Sequence, residues 1–136
     1  MQDDLDRFRG WLYAAALYNL VWGATNAAAP DLLPRALGFE GGVLWRAVAM
    51  FVLVYAPAFW WAARAPEQHP HVVVVAWLGK SMATVGFVWM LATGALPAAF
   101  GVLVLANDVI WLPAFYAYLG AAARRRGGWG VLLGGR

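Results

Sequence analysis

Cysteine is absent from the chain, which excludes disulfides, thiol nucleophiles and cysteine-ligated metals. Charge is scarce: Asp, Glu, Lys and Arg make up 12% of the residues, about half of the roughly 25% usual in soluble domains. Strand-like alternation of apolar and polar residues is missing throughout, so no sheet is expected. The chain has no phosphate loop, no zinc-binding helix and no recognisable pairing of nucleophile and base. Nothing therefore marks an enzyme, and no cofactor is implied. The net charge of +3 is small and gathered toward the C-terminus, which argues against a nucleic-acid-binding face. No motif is specific enough to assign a family.

What is present is apolar. Hydrophobic residues make up 63% of the 136 positions, with nine Trp and 15 Gly. This composition points to an integral membrane protein of one compact unit. The opening "MQDDLDRFRG" mixes both signs of charge, and no small-residue cleavage site follows a short apolar core. The first helix is therefore expected to be retained rather than removed as a signal peptide.

Four segments reach the roughly 20 residues needed to cross a hydrocarbon core of about 30 Å. They run over about residues 8–28, 42–64, 70–93 and 97–120. Pro30 and Pro34 stop the first, and Pro70 suits the first turn of the third. The connections are short, so the sequence predicts an all-α, up-down four-helix membrane bundle over residues 1–126. Residues 127–136, "GGWGVLLGGR", hold too many glycines for a stable span and are expected to form a flexible tail. The first loop, "PDLLPRALGFE", reads either as a short interfacial helix over one mouth of the bundle or as irregular loop.

Arg7, Arg9, Arg64, Arg124, Arg125, Arg126 and Arg136 fall on one side of this arrangement, and Arg35 and Arg46 on the other. The positive-inside bias puts both termini in the cytoplasm and suits a plasma (inner) membrane. "VYAPAFWW" and "IWLPAFYAY" end the second and fourth helices with similar aromatic-proline patterns, which suggests two repeated hairpins. Pro57 and Pro113 should each free the carbonyl four residues earlier, on Leu53 and Val109.

The functional signal is polarity at bilayer depth. Asn19, Lys80, Asn107 and Asp108 fall near the midpoints of three different helices. A carboxylate there costs roughly 2.5–3.5 kcal/mol on insertion scales, so Asp108 needs a partner. Lys80 is the natural one, because a very short turn makes the third and fourth helices antiparallel neighbours. Trp22, Trp77 and Trp111 lie within one turn of these groups and could wall a pocket for an amphipathic molecule. Arg46 lies about 9 Å from the midplane on the outer side, where it could guide an anionic group or pair with Glu40 or Asp31.

The ligand-binding set is thus Asn19, Trp22, Arg46, Trp77, Lys80, Asn107, Asp108 and Trp111. The expected function is binding or translocating a small amphipathic or lipid-like molecule. The alternative is a structural or accessory subunit of a larger membrane complex, in which the same residues only fix packing; the partner could be a second copy, as a homodimer, or another membrane protein. Third comes an intramembrane lipid- or isoprenoid-modifying enzyme using Asp108 and Lys80. Glu67, His69 and His71 in "EQHPH" make a poor metal site without a fourth ligand, and none is assigned.

Overall fold

The computed structural model describes residues 3–134, and Arg136 of the charge bias lies outside them. The described residues are all-helical, with no strand. In chain order the helices are α1 (Asp3–Asp6), α2 (Arg9–Ala28), α3 (Leu32–Ala36), α4 (Gly42–Arg64) and α5 (Pro70–Ala92), then α6 (Gly101–Asn107), α7 (Leu112–Arg126) and α8 (Trp129–Leu132). Tight 3₁₀ turns at Ala98–Phe100 and Val109–Trp111 precede α6 and α7.

Among the described residues, three segments are long and apolar enough to cross a membrane: Gly42–Arg64, Pro70–Ala92 and Ala98–Arg126. This marks an integral membrane protein. Helix α2 has the length, 20 residues, but Asn19, Thr25 and Asn26 make it less apolar than the other three. Large apolar side chains cover the outer faces: Leu44 is 80% exposed, Phe51 and Met82 73%, and Trp89 71%. Such exposure would be costly in water and suits a hydrocarbon solvent.

The long helices form two antiparallel hairpins. Helix α2 runs along α4, with Tyr13 against Trp60 at 5.0 Å and Trp22 against Trp45 at 5.6 Å between ring centroids. The closest approach is at Gly23, where a β-carbon would lie 2.8 Å from the Leu53 backbone nitrogen. Only glycine lets the two backbones come this near. Helix α5 runs along α6 and α7, pairing Phe87 with Phe100 and Trp77 with Tyr116.

The hairpins share a buried core at the end that carries α1 and α8. There Leu12, Ala15, Phe59, Ala63, Val73, Phe115 and Leu119 form a buried core. Tyr118 is 1% exposed, and its hydroxyl donates to the Pro66 carbonyl at 2.5 Å, tying α7 to the α4–α5 turn. Tyr118→Phe leaves that buried carbonyl unpaired and is expected to cost about 1–3 kcal/mol. A lowered melting midpoint in mild detergent, with helical content unchanged, would show it.

Two features depart from the sequence expectation. The last span is two helices, not one. Helix α6 stops at Asn107, Asp108 leaves helical geometry at φ −122° and ψ −63°, and Pro113 falls in the first turn of α7, where its missing N–H costs nothing. By contrast, Pro57 sits inside an unbroken α4. The second departure is the tail. Gly127 and Gly128 take φ of 90° and 131°, and the Gly128 N–H bonds the Ala123 carbonyl at 2.8 Å. This left-handed turn folds α8 back, so Trp129 stacks on Tyr116 at 6.2 Å and Leu132 is buried.

In the first loop, α3 and the residues after it form a cap. The Asp31 carboxylate accepts the Gly42 N–H at 3.0 Å, and Phe39 packs on Trp45 and Phe100 at 5.3 and 5.2 Å.

Candidate functional site

The break in the last span is built by the residues around it. In a continuous helix the Trp111 N–H would bond the Asn107 carbonyl. Here it bonds the Asp108 carbonyl at 3.1 Å instead, which releases the Asn107 carbonyl. The Trp111 indole donates to the Ala106 carbonyl at 3.1 Å, pinning the end of α6. Irregular backbone at bilayer depth is tolerated only where protein groups or a cavity satisfy it.

Lys80 meets this break. Its Nζ donates to the released Asn107 carbonyl and lies 3.4 Å from Asp108 Oδ1. The Asn107 side-chain amide donates to the same carboxylate oxygen at 3.1 Å. Lys80 is 8% and Asp108 7% exposed, so both charges are desolvated and each depends on the other. The two form a net-neutral unit seated on a backbone carbonyl.

The unit forms the polar wall of a cavity of about 360 Å³ lined by α2, α4, α5 and α6. That volume falls within the roughly 300–1,000 Å³ of small-molecule sites. Asn19 and Trp22 reach it from α2; Trp45, Val48, Val52 and Tyr55 from α4; Gly79, Lys80, Ala83 and Phe87 from α5. Phe100, Leu103 and Val104 complete the apolar side.

Several polar groups here keep unused hydrogen-bonding capacity. Asn19 donates from its amide to the Ala15 carbonyl at 2.7 Å, and among the described residues its carbonyl oxygen accepts nothing. Asn107 Oδ1 is buried with no partner. Asp108 Oδ2 likewise accepts no bond within the described residues, since both contacts to this carboxylate fall on Oδ1. Buried polar atoms in folded proteins are nearly always paired, so the unpaired Asn107 Oδ1 beside the cavity stands out.

The structure gathers five of the eight sequence candidates at this cavity: Asn19, Trp22, Lys80, Asn107 and Asp108. The other three lie elsewhere. Arg46 is exposed and outside the cavity lining; Asp31, one partner considered for it, lies 3.6 Å from Arg35 instead. Helix rotation, which depth along the axis does not reveal, turns Arg46 away. Trp77 packs against Tyr116 at 6.4 Å. Trp111 sits behind the break, against Tyr18 at 5.3 Å, where it shapes the site without lining it.

Three lining aromatics escaped the sequence reading: Trp45, Phe87 and Phe100. Part of the signal was available. Trp45, Val48, Val52 and Tyr55 recur at helical spacing on one face, and Phe87 lies two turns from Lys80 on the same face of α5. In the "EQHPH" turn, Glu67 pairs with Arg125 at 2.9 Å, and the His69 and His71 rings meet at 6.0 Å. No protein-family model, curated protein or solved structure matches the chain.

Proposed function

We propose that the chain is a four-span membrane bundle, with both termini cytoplasmic, that binds or translocates a small amphipathic or lipid-like molecule at bilayer depth. The observation that carries this reading is the cavity, where apolar aromatic walls meet a neutral Lys80–Asp108 unit with the unpaired, buried Asn107 Oδ1 beside it. A pair that served packing alone would gain nothing from an unpaired acceptor beside an open volume. Intramembrane ionisable residues more often mark a ligand or ion path than a packing device. Under this proposal α2 crosses the membrane with its polar side turned inward, which supplies the fourth span despite its lower hydropathy.

Asp108→Asn tests the proposal. It keeps the side-chain shape and an acceptor for Lys80, so the bundle should still fold. Solvent extraction of the purified wild type should release an organic molecule, analysed by mass spectrometry, that the variant no longer retains. If Asp108→Asn unfolds and the wild type yields only bulk lipid, the pair is a packing device, as in an accessory subunit.

A further inference from the structure

We propose that the cavity is loaded sideways from the bilayer, through the gap between α4 and α5, by a neutral amphiphile whose polar end is a hydroxyl. The inference rests on the ligand-binding reading above and names the class of molecule and its route.

The route follows from what closes each end. Toward the first loop, the rings of Phe39, Trp45 and Phe100 meet one another at 5.2–6.1 Å, and Phe87 stacks on Phe100 at 6.0 Å. These rings plug the end of the cavity nearest that membrane surface. Toward the termini, Phe115 lies 5.1 Å from Phe59 and 6.4 Å from Trp111, part of the buried core. The side remains. Val48 on α4 and Gly79, Ala83 and Met90 on α5 line the cavity and are also exposed. The cavity residues on α2 and α6 are buried or only half-exposed. The mouth therefore opens between α4 and α5, whose outer faces are apolar. A molecule arriving by that route is already dissolved in the membrane.

The polar wall sets the head group. Lys80 and Asp108 already neutralise each other, so a ligand with a full charge would leave one charge uncompensated at bilayer depth, which is costly. Asn19 Oδ1 and Asp108 Oδ2, on residues that line the cavity, accept no bond among the described residues and suit a donor. Among the described residues the Tyr55 hydroxyl, also at the cavity, makes no hydrogen bond and can donate to the incoming oxygen. A hydroxyl meets both needs, since it donates one proton and accepts in return. Arg46 is not among the residues that line the cavity, so it offers no cation in the lining to hold an anion.

The test uses the full chain in phosphatidylcholine nanodiscs and three probes with the same alkyl chain: tetradecanol, tetradecanoate and tetradecyltrimethylammonium. The readout is the melting midpoint as each probe is titrated. Tetradecanol should raise it saturably, at a mole fraction at least about tenfold lower than either charged probe requires, equivalent to 1.4 kcal/mol. Ala83→Trp, which fills the mouth from an exposed position, should abolish the response. Val85→Trp, which adds the same bulk on a surface of α5 outside the cavity lining, should preserve it. Tighter saturable binding of a charged probe would overturn the hydroxyl assignment and leave the binding reading standing. An unchanged response in Ala83→Trp would overturn the lateral route. If no probe acts saturably on the wild type, both the inference and the binding reading fall.

Discussion

Lys80→Met should destabilise the bundle by about 3–5 kcal/mol, the usual penalty for leaving one member of a buried pair without its partner. The change strands two acceptors together. The Asn107 carbonyl, released by the helix break, loses its donor, and the Asp108 carboxylate keeps only the Asn107 amide. Neither can turn to water at that depth without dragging it in. Asp108→Asn should cost less, because an acceptor for Lys80 remains. Adding Asp108→Leu to Lys80→Met removes the stranded charge and should recover most of the lost stability, since well-packed apolar replacements of buried pairs are often neutral or better. The double variant would nevertheless lack the polar wall and bind nothing. Denaturant titrations of the three variants in mild detergent, followed by circular dichroism, check the order. Lys80→Met no less stable than wild type would mean that the pair is not desolvated.

Gly23→Val should cost about 3 kcal/mol, at the upper end of overpacking penalties. A β-carbon at position 23 would meet the Leu53 nitrogen, Cα and Cβ at 2.8–2.9 Å. These are mostly backbone atoms and cannot rotate away, so α2 and α4 must separate. Separation reaches the cavity, because Trp22 packs on Trp45 and the Trp45 indole donates to Asn26 Oδ1 at 2.9 Å. Gly86→Ala is the contrasting case. Nothing lies within 4 Å of its would-be β-carbon, and replacing a mid-helix glycine should stabilise by roughly 0.5–1 kcal/mol. Opposite signs in thermal melts would show that the Gly23 contact, and not glycine as such, holds the first hairpin together. Equal shifts would remove that explanation.

The all-helical fold with long apolar segments was legible from composition and period alone, because hydrocarbon solvent leaves few alternatives. Counting residues along each helix put Asn19, Lys80, Asn107 and Asp108 at one level, and the structure has all four lining one cavity. Rotation was not legible. Whether a residue at the right depth faces a cavity depends on which neighbours the helix packs against, so Arg46 and Trp77 were misplaced and Trp45 and Phe87 were missed. The helix break was only half visible. Pro113 announced a disturbance near Val109, but the stop at Asn107 also depends on the Trp111 indole and the Lys80 ammonium taking up backbone carbonyls. No local pattern encodes such contacts.

The decisive experiment is native mass spectrometry of the wild-type chain released from mild detergent. One defined adduct per chain, absent from Asp108→Asn under the same conditions, is expected if the cavity holds a small molecule against the Lys80–Asp108 unit. A bare wild-type chain in every mild detergent tried, together with an Asp108→Asn variant that no longer folds, would show that the charged pair serves packing and that the cavity binds nothing.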